Sequence, residues 1–179
     1  MDSRSKPRRP IPPLNESSLQ EVTIRYVGKY ATTRAKLEAY LRRKLRERGW
    51  EGPGPDIAAL IERMAGLGYV DDASYAMARS RSLGARGYGK RRLREQLRIA
   101  GVDENDGAAA EAHADAEAVE AAVRFATRRR IGPFANASAD PRQREKWIAA
   151  MIRGGHDFRL ARAIAWLEPG AEIDIESLR

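Results

Sequence analysis

Cysteine is missing from all 179 residues of this chain. Its absence excludes disulfides, thiolate metal sites and cysteine nucleophiles, and it fits a reducing compartment. Histidine occurs only at His113 and His156, each in its own segment, so the spacing offers neither a histidine metal set nor a nucleophile–base pair. No apolar run approaches the ~20 residues that a membrane-spanning helix needs. The opening residues, MDSRSKPRRPIPPLN, lack the apolar core of a signal peptide, so the cytoplasm is the expected location. Acidic residues are in the minority, 25 against 33 lysines and arginines, for a net charge of +8. That sign favours a polyanion or an acidic protein surface as partner. Most of the excess is arginine, whose planar fork suits phosphate and carboxylate.

Sustained apolar–polar alternation is also lacking, so the expected fold class is all-α. Residues 1–14 are too polar and proline-rich to bury a core and are expected to form a disordered basic arm. Ser18, three residues before Glu21, has the spacing of a capping box and predicts a helix running to about residue 30. A second helix is expected over 32–48, with Leu37, Leu41 and Leu45 on one stripe and Gly49 as its stop. After the turn GPGP, Asp56 is placed to cap a third helix over 56–67. The pattern then recurs. Asp71 can cap a helix containing Tyr75, Ala76 and Leu83, and a helix over 89–100 ends at Gly101. A short acidic, alanine-rich segment follows at 103–113, and further helices are expected near 115–131, 141–153 and 157–168. The last of these is read with Phe158, Ala161, Ile164 and Trp166 or Leu167 inward.

Register supports an internal repeat. Leu41, Leu45 and Gly49 recur after 52 residues as Leu93, Leu97 and Gly101, and after another 54 as Trp147, Met151 and Gly155. Each time the glycine closes the second of three helices. The expected organisation is therefore three tandem three-helix repeats, 15–68, 69–113 and 114–168, forming an elongated, curved stack, with an acidic tail at 169–179.

The stretch GYGKRRLREQLRIAGV, 87–102, holds five basic residues against one acid, Glu95. With about 100 degrees per residue, Leu97 and Ala100 lie within about 40 degrees of Leu93, while Arg91, Arg94 and Arg98 gather at about 100 to 160 degrees. The arginines thus share a lateral face beside the core stripe. Arg94 and Arg98 correspond in register to Arg42 and Arg46 of the first repeat, whereas the third repeat has Ile148 and Ile152 there, as core or as a protein contact. Arg42, Arg46, Arg86, Lys90, Arg91, Arg94 and Arg98 are the candidate partner- and nucleic-acid-binding residues. The alternative for this charge is a solvated face that only keeps the helix soluble.

Other motifs are read as structural. GYGK at 87–90 is not a phosphate-binding loop, because GxxxxGK[ST] and a preceding strand are both missing; a flexible turn is expected. Asp71 and Asp72 diverge on a helix and are read as a cap and a surface ion pair. Trp50, Trp147 and Trp166 are read as core. No catalytic, metal or cofactor site is expected.

Residues 66–102, GLGYVDDASYAMARSRSLGARGYGKRRLREQLRIAGV, resemble the signature of the RecX family of regulatory proteins. The likeness lies in Tyr69-Val70-Asp71-Asp72, Tyr75-Ala76, an arginine-bearing helix, Gly87 and Gly89 before a basic turn, then Leu93, Glu95, Leu97 and Gly101. In layout it extends over about 16–168, and it departs from the family at Gly155-His156, where an aromatic usually follows the glycine. The resemblance implies three tandem three-helix repeats and a monomeric, non-enzymatic regulator of RecA. Such a protein would lodge in the groove of the RecA filament on single-stranded DNA, with double-stranded DNA as a further partner. It would inhibit strand exchange, ATP hydrolysis and coprotease activity, and so modulate DNA repair and the SOS response. An architectural DNA-binding protein without RecA specificity is the alternative.

Overall fold

A computed structural model describes residues 12–179, so the expected arm lies outside the described residues except for its last three positions. Those three are held in place. Leu14 is fully buried, its N–H donates to the Gly49 carbonyl at 3.0 Å, and its own carbonyl accepts from Glu51 at 2.8 Å. The all-α expectation holds: ten α-helices and one 3-10 turn make up the described residues, and the only extended pairing is the isolated bridge Leu14–Trp50. The chain divides into two compact units between Asp71 and Asp72.

The first unit holds α1 (Glu16–Val27), α2 (Arg34–Arg48) and α3 (Ile57–Gly66). Its core gathers Leu14, Leu19, Val27, Leu37, Leu41, Leu60, Ile61, Met64 and Val70. Helix α1 starts one turn before the expected cap. Asn15 is the N-cap and Ser18 takes the reciprocal third position, with Ser18 N–H to Asn15 Oδ1 at 3.0 Å and Asn15 N–H to Ser18 Oγ at 2.9 Å. The helix opens on a capping box, but Asn15 and Ser18 form it rather than Ser18 and Glu21. Thr33 and Asp56 cap α2 and α3.

The second unit holds α4 (Asp72–Ala85), α5 (Lys90–Ala100), α6 (Glu104–Ala116), α7 (Ala118–Arg129), α8 (Pro141–Arg153), α9 (Phe158–Trp166) and α10 (Ile175–Leu178). The acidic, alanine-rich segment is the full helix α6, capped by Asp103. Its small residues let it pack closely: Gly107 and Ala110 are buried, and the Ser80 hydroxyl donates across from α4 to the Ala110 carbonyl at 2.9 Å. Two apolar clusters fill the unit, one around Ala76, Leu83, Leu93, Leu97 and Ala110, the other around Phe125, Met151, Leu160 and Ile164. Tyr88 packs against both.

Three side chains depart from the sequence reading. Asp72 is not on the surface; it is buried in the first turn of α4, where the positive helix end favours a carboxylate. Phe158 and Trp166 are 55 % and 52 % exposed. The buried stripe of α9 is Leu160, Ala161, Ile164 and Ala165. Trp166 stands about 100 degrees or more from every member of that stripe and so points away from it, while Phe158 is the first residue of the helix.

Leu97 is 4 % exposed and joins the cluster beneath α5. Leu97→Ala is expected to lower unfolding free energy by about 2–5 kcal/mol, read from urea denaturation. An unchanged midpoint would mean that α5 does not bury this face.

Candidate functional site

Helix α5 is positioned at its N-terminus by backbone rather than by a side-chain cap. Gly89 is the N-cap and no side chain bonds there. Instead the Gly89 N–H donates to the Gly154 carbonyl at 3.0 Å and the Arg91 N–H to the Gly155 carbonyl at 3.1 Å. A Cβ on Gly89 would stand 2.4 Å from the Gly155 oxygen, and one on Gly87, at φ 74°, would stand 2.7 Å from the Phe125 nitrogen. The GYG stretch is therefore not a flexible turn. It is locked against the turn between α8 and α9, and two amides of the helix start donate to that turn's carbonyls.

His156 completes this seam. It is 2 % exposed, and its Nε2 lies 3.0 Å from the Gly87 carbonyl. A carbonyl only accepts, so Nε2 carries the proton. The ring meets Phe125 edge-on, with centroids 5.2 Å apart and planes at 66°. The histidine that departs from the RecX pattern thus fills an aromatic position and adds a donor. Burial drives its pKa down to about 4, against a weaker upward pull from the bond to Gly87.

With its start fixed and Leu93, Leu97 and Ala100 buried, α5 exposes Arg91, Arg94 and Arg98. Arg91 and Arg98 have no carboxylate within ion-pair distance among the described residues. Arg94 donates to Glu111 of α6 at 2.7 Å. Lys90 pairs with Asp115 and, at 3.7 Å, with Glu111. Arg86 donates to the Ser82 carbonyl and lies over the Tyr88 ring. In the first unit, Arg42 is bound to Glu38 at 2.6 Å, one turn back on α2, while Arg46 is exposed. In the second unit Ile148, at the register position of Arg94, packs against the core, which places it as core rather than as open apolar surface.

Several other arginines are structural. Arg144 reaches the carbonyls of Ala139 and Trp166 at 3.1 and 2.9 Å, pairs with Glu168, and lies 4.8 Å from the Trp166 ring centre. Arg124 donates to the Gly84 carbonyl at 3.0 Å, and Arg48 to that of Pro12. Among the described residues no cluster of His, Asp and Glu has the arrangement of a metal site, and no helix is long and apolar enough to cross a membrane. The sequence reading missed a groove lined by tyrosines and cations between α1 and α2. Its signal was present as Arg25-Tyr26 and Lys29-Tyr30, the same pair of residue types one turn apart.

Residues 71–110 match the family model described as RecX, second three-helix domain. The chain is 31% identical over 169 residues to the regulatory protein RecX of Mycobacterium avium strain 104, covering 91% of this chain and 94% of that protein. It is 28% identical over 168 residues to regulatory protein RecX of Myxococcus xanthus strain DK1622, covering 88% and 89%. Its fold is similar to the crystal structure of RecX from Lactobacillus salivarius, with a TM-score of 0.61 at 18% identity over 83% of this chain and 92% of that one.

Two outcomes test the seam. Gly89→Ala is expected to destabilise the second unit by well over the ~1 kcal/mol typical of a point substitution, because the clash is with backbone. His156 is neutral when folded and titrates near 6.5 when unfolded, so its contribution is complete above 6.5 and is lost as pH falls toward about 4. The loss amounts to roughly 3 kcal/mol. Glu168, whose pKa is lowered by hydrogen bonds from Arg144 and Ser138, loses stability in the same direction but below 4.5. Melting temperature against pH should therefore fall less steeply between 6.5 and 4 in His156→Gln than in the parent. Parallel curves would show that the histidine is not held neutral. With most of its length shared with these relatives, the chain belongs to the RecX family of regulatory proteins.

Proposed function

We infer that this chain acts as a modulator of RecA, binding the RecA filament on single-stranded DNA and restraining strand exchange, ATP hydrolysis and coprotease activity. Family membership supports the partner, and one observation carries the chemistry. Arg91, Arg94 and Arg98 stand exposed on a helix whose start and core face are fixed by other contacts. Those three side chains are therefore available for a phosphate or an acidic RecA surface. The Arg94–Glu111 pair does not close the face. Arg94 is 57% exposed in that pair, and such pairs contribute only ~0–1 kcal/mol, so a phosphate can displace the carboxylate. Arg42 and Arg46 offer the same chemistry on α2 of the first unit.

The repeat organisation belongs to the same reading. Helices α1–α3, α4–α6 and α7–α9 form three successive triplets, which supports three repeats like those expected at 15–68, 69–113 and 114–168 but moves the second boundary from 113 to the end of α6 at Ala116. The register glycines Gly49, Gly101 and Gly155 share a positive φ, at 78°, 72° and 94°. A monomer working in the cytoplasm without cofactor or catalysis fits this picture. Control of RecA would place the chain in DNA repair and the SOS response.

RecA-catalysed, DNA-dependent ATP hydrolysis is the test. The parent should inhibit it, and Arg94→Glu with Arg98→Glu should require about tenfold more protein or beyond. A hydrogen bond to a charged group contributes roughly 1.5–3 kcal/mol, and two are reversed. The melting temperature should barely move, because neither side chain is buried. Equal inhibition by the double variant would remove α5 from the interface. An architectural DNA-binding protein would instead leave RecA unaffected at salt where naked DNA is released. For about four neutralised phosphates, log affinity for naked DNA falls with a slope near −3 to −4 against log salt.

A further inference from the structure

The first unit carries a second cationic surface, separate from the α5 face. Helix α1 ends at Val27 and the chain crosses to α2 through residues 28–33. At that crossing three tyrosines form a row. Tyr26 stacks on Tyr40 with centroids 4.0 Å apart and planes 14° apart, and Tyr30 meets Tyr26 at 5.4 Å. Tyr26 and Tyr40 also pack against the core of the unit. Tyr30 has no such duty and is 49 % exposed.

Cations surround the row. Lys29 Nζ lies 5.2 Å from the Tyr30 ring centre, the Arg43 guanidinium 5.4 Å from Tyr40, and Lys44 Nζ 5.8 Å from Tyr40. Together with Arg25 they line an open groove of about 710 Å³ whose wall holds five basic residues and no acidic one. Glu47 stands beside it and is shared by Lys44 at 2.6 Å and Arg43 at 3.6 Å. Arg25 and Lys29 have no carboxylate within ion-pair distance among the described residues.

Glu47 offsets part of the charge of Arg43 and Lys44, but Arg25 and Lys29 have no acid paired with them among the described residues, and an anion at the groove relieves the remaining repulsion. An exposed ring amid the cations narrows the anion. Single-stranded nucleic acid offers phosphates to cations and an unpaired base face to an aromatic platform. A duplex keeps its base faces stacked inside, and an acidic peptide offers carboxylates to the cations but no base to the ring. We propose that this groove binds single-stranded nucleic acid, with Arg25 and Lys29 on the phosphates and Tyr30 beneath a base. The site needs no RecA and holds whether or not the filament reading does.

Fluorescence anisotropy with labelled oligothymidylate and oligouridylate of about sixteen nucleotides tests this on the full chain. Tyr30→Ala is expected to weaken binding by about 5- to 150-fold, the range measured for removing one stacked base. Tyr30→Phe keeps the ring and should bind as the parent does. Arg25→Ala with Lys29→Ala should make the salt slope shallower by about 1.4, two phosphates on a single strand. Tyr30→Ala should leave binding of a duplex of the same length unchanged. Loss through Tyr30 with either polymer supports the site, and the ratio of the two affinities tells which strand it prefers. Parent-like binding and slope in both variants, no binding by the parent at low salt, or equal competition by polyglutamate would overturn it. Because Tyr30 is half exposed, circular dichroism of Tyr30→Ala should match the parent; if it does not, the Arg25/Lys29 slope and the phenylalanine variant decide. RecA ATPase inhibition is measured in parallel. Inhibition without Tyr30-dependent binding sinks this site alone, and the converse sinks the filament reading alone.

Discussion

The backbone contact between Gly89 and Gly155 is the constraint on which the second unit depends. Two segments of the chain approach there until a single added carbon would reach 2.4 Å from a carbonyl oxygen. That closeness gives hydrogen-bond partners to two amides at the start of α5, which no side chain caps. Orphaned amides at a buried helix start are costly, so the seam does the work that Ser, Asp or Asn does elsewhere in the fold. Glycine is required on both sides of the seam, at Gly89 by lack of space and at Gly155 also by its φ of 94°. His156 and Phe125 then close it from below.

From this constraint the charged face follows. A helix fixed at its first turn and along one stripe has no rotational freedom left, so its remaining residues point where the stripe leaves them. The cations of α5 are exposed because Leu93, Leu97 and Ala100 are buried. The same logic separates arginines that act as structural ties from those that do not. Arg144, Arg124 and Arg48 each reach a backbone carbonyl distant in sequence and hold segments together. The side chains of Arg91 and Arg98 pair with no carboxylate among the described residues. Net charge counts both kinds alike, and only geometry divides them.

What the sequence made legible was periodic. The stripes of α2, α3 and α5 and the caps at Asp56 and Gly101 were all readable, because each is a local rule of spacing. What escaped was set by distant partners. GYG read as a loose turn because nothing near it in sequence announces Gly154 and Gly155, more than sixty residues away. Asp72 read as surface because burial of an acid at a helix start is decided by what packs above it. Phe158 and Trp166 read as core because size suggested it, while a stripe of small and medium residues had already filled the inner side of α9. In the candidate site the exposure of Arg91, Arg94 and Arg98 was legible from the helical wheel. The Arg94–Glu111 and Lys90–Asp115 pairs were not, since they require α6 to lie alongside α5.

Those pairs give the α5 face a graded character. Acids of α6 occupy the Lys90 and Arg94 end of the face, whereas Arg98, a turn further on, has none. On the proposed reading, an incoming phosphate would meet Arg98 without competition and would have to displace Glu111 to reach Arg94. Glu111 contacts both Lys90 and Arg94, but displacing it releases Arg94 alone, since Lys90 stays held by Asp115. Arg94 is 57% exposed in its pair with Glu111, so displacement would cost little, and each phosphate gained would return a charge-assisted bond. A face built this way would discriminate against weak or isolated anions and favour a polyanion that presents several phosphates at once. The alanine-rich helix α6 thereby packs closely through its small residues and, under the proposed function, would also set through its acids how much anion the neighbouring helix requires.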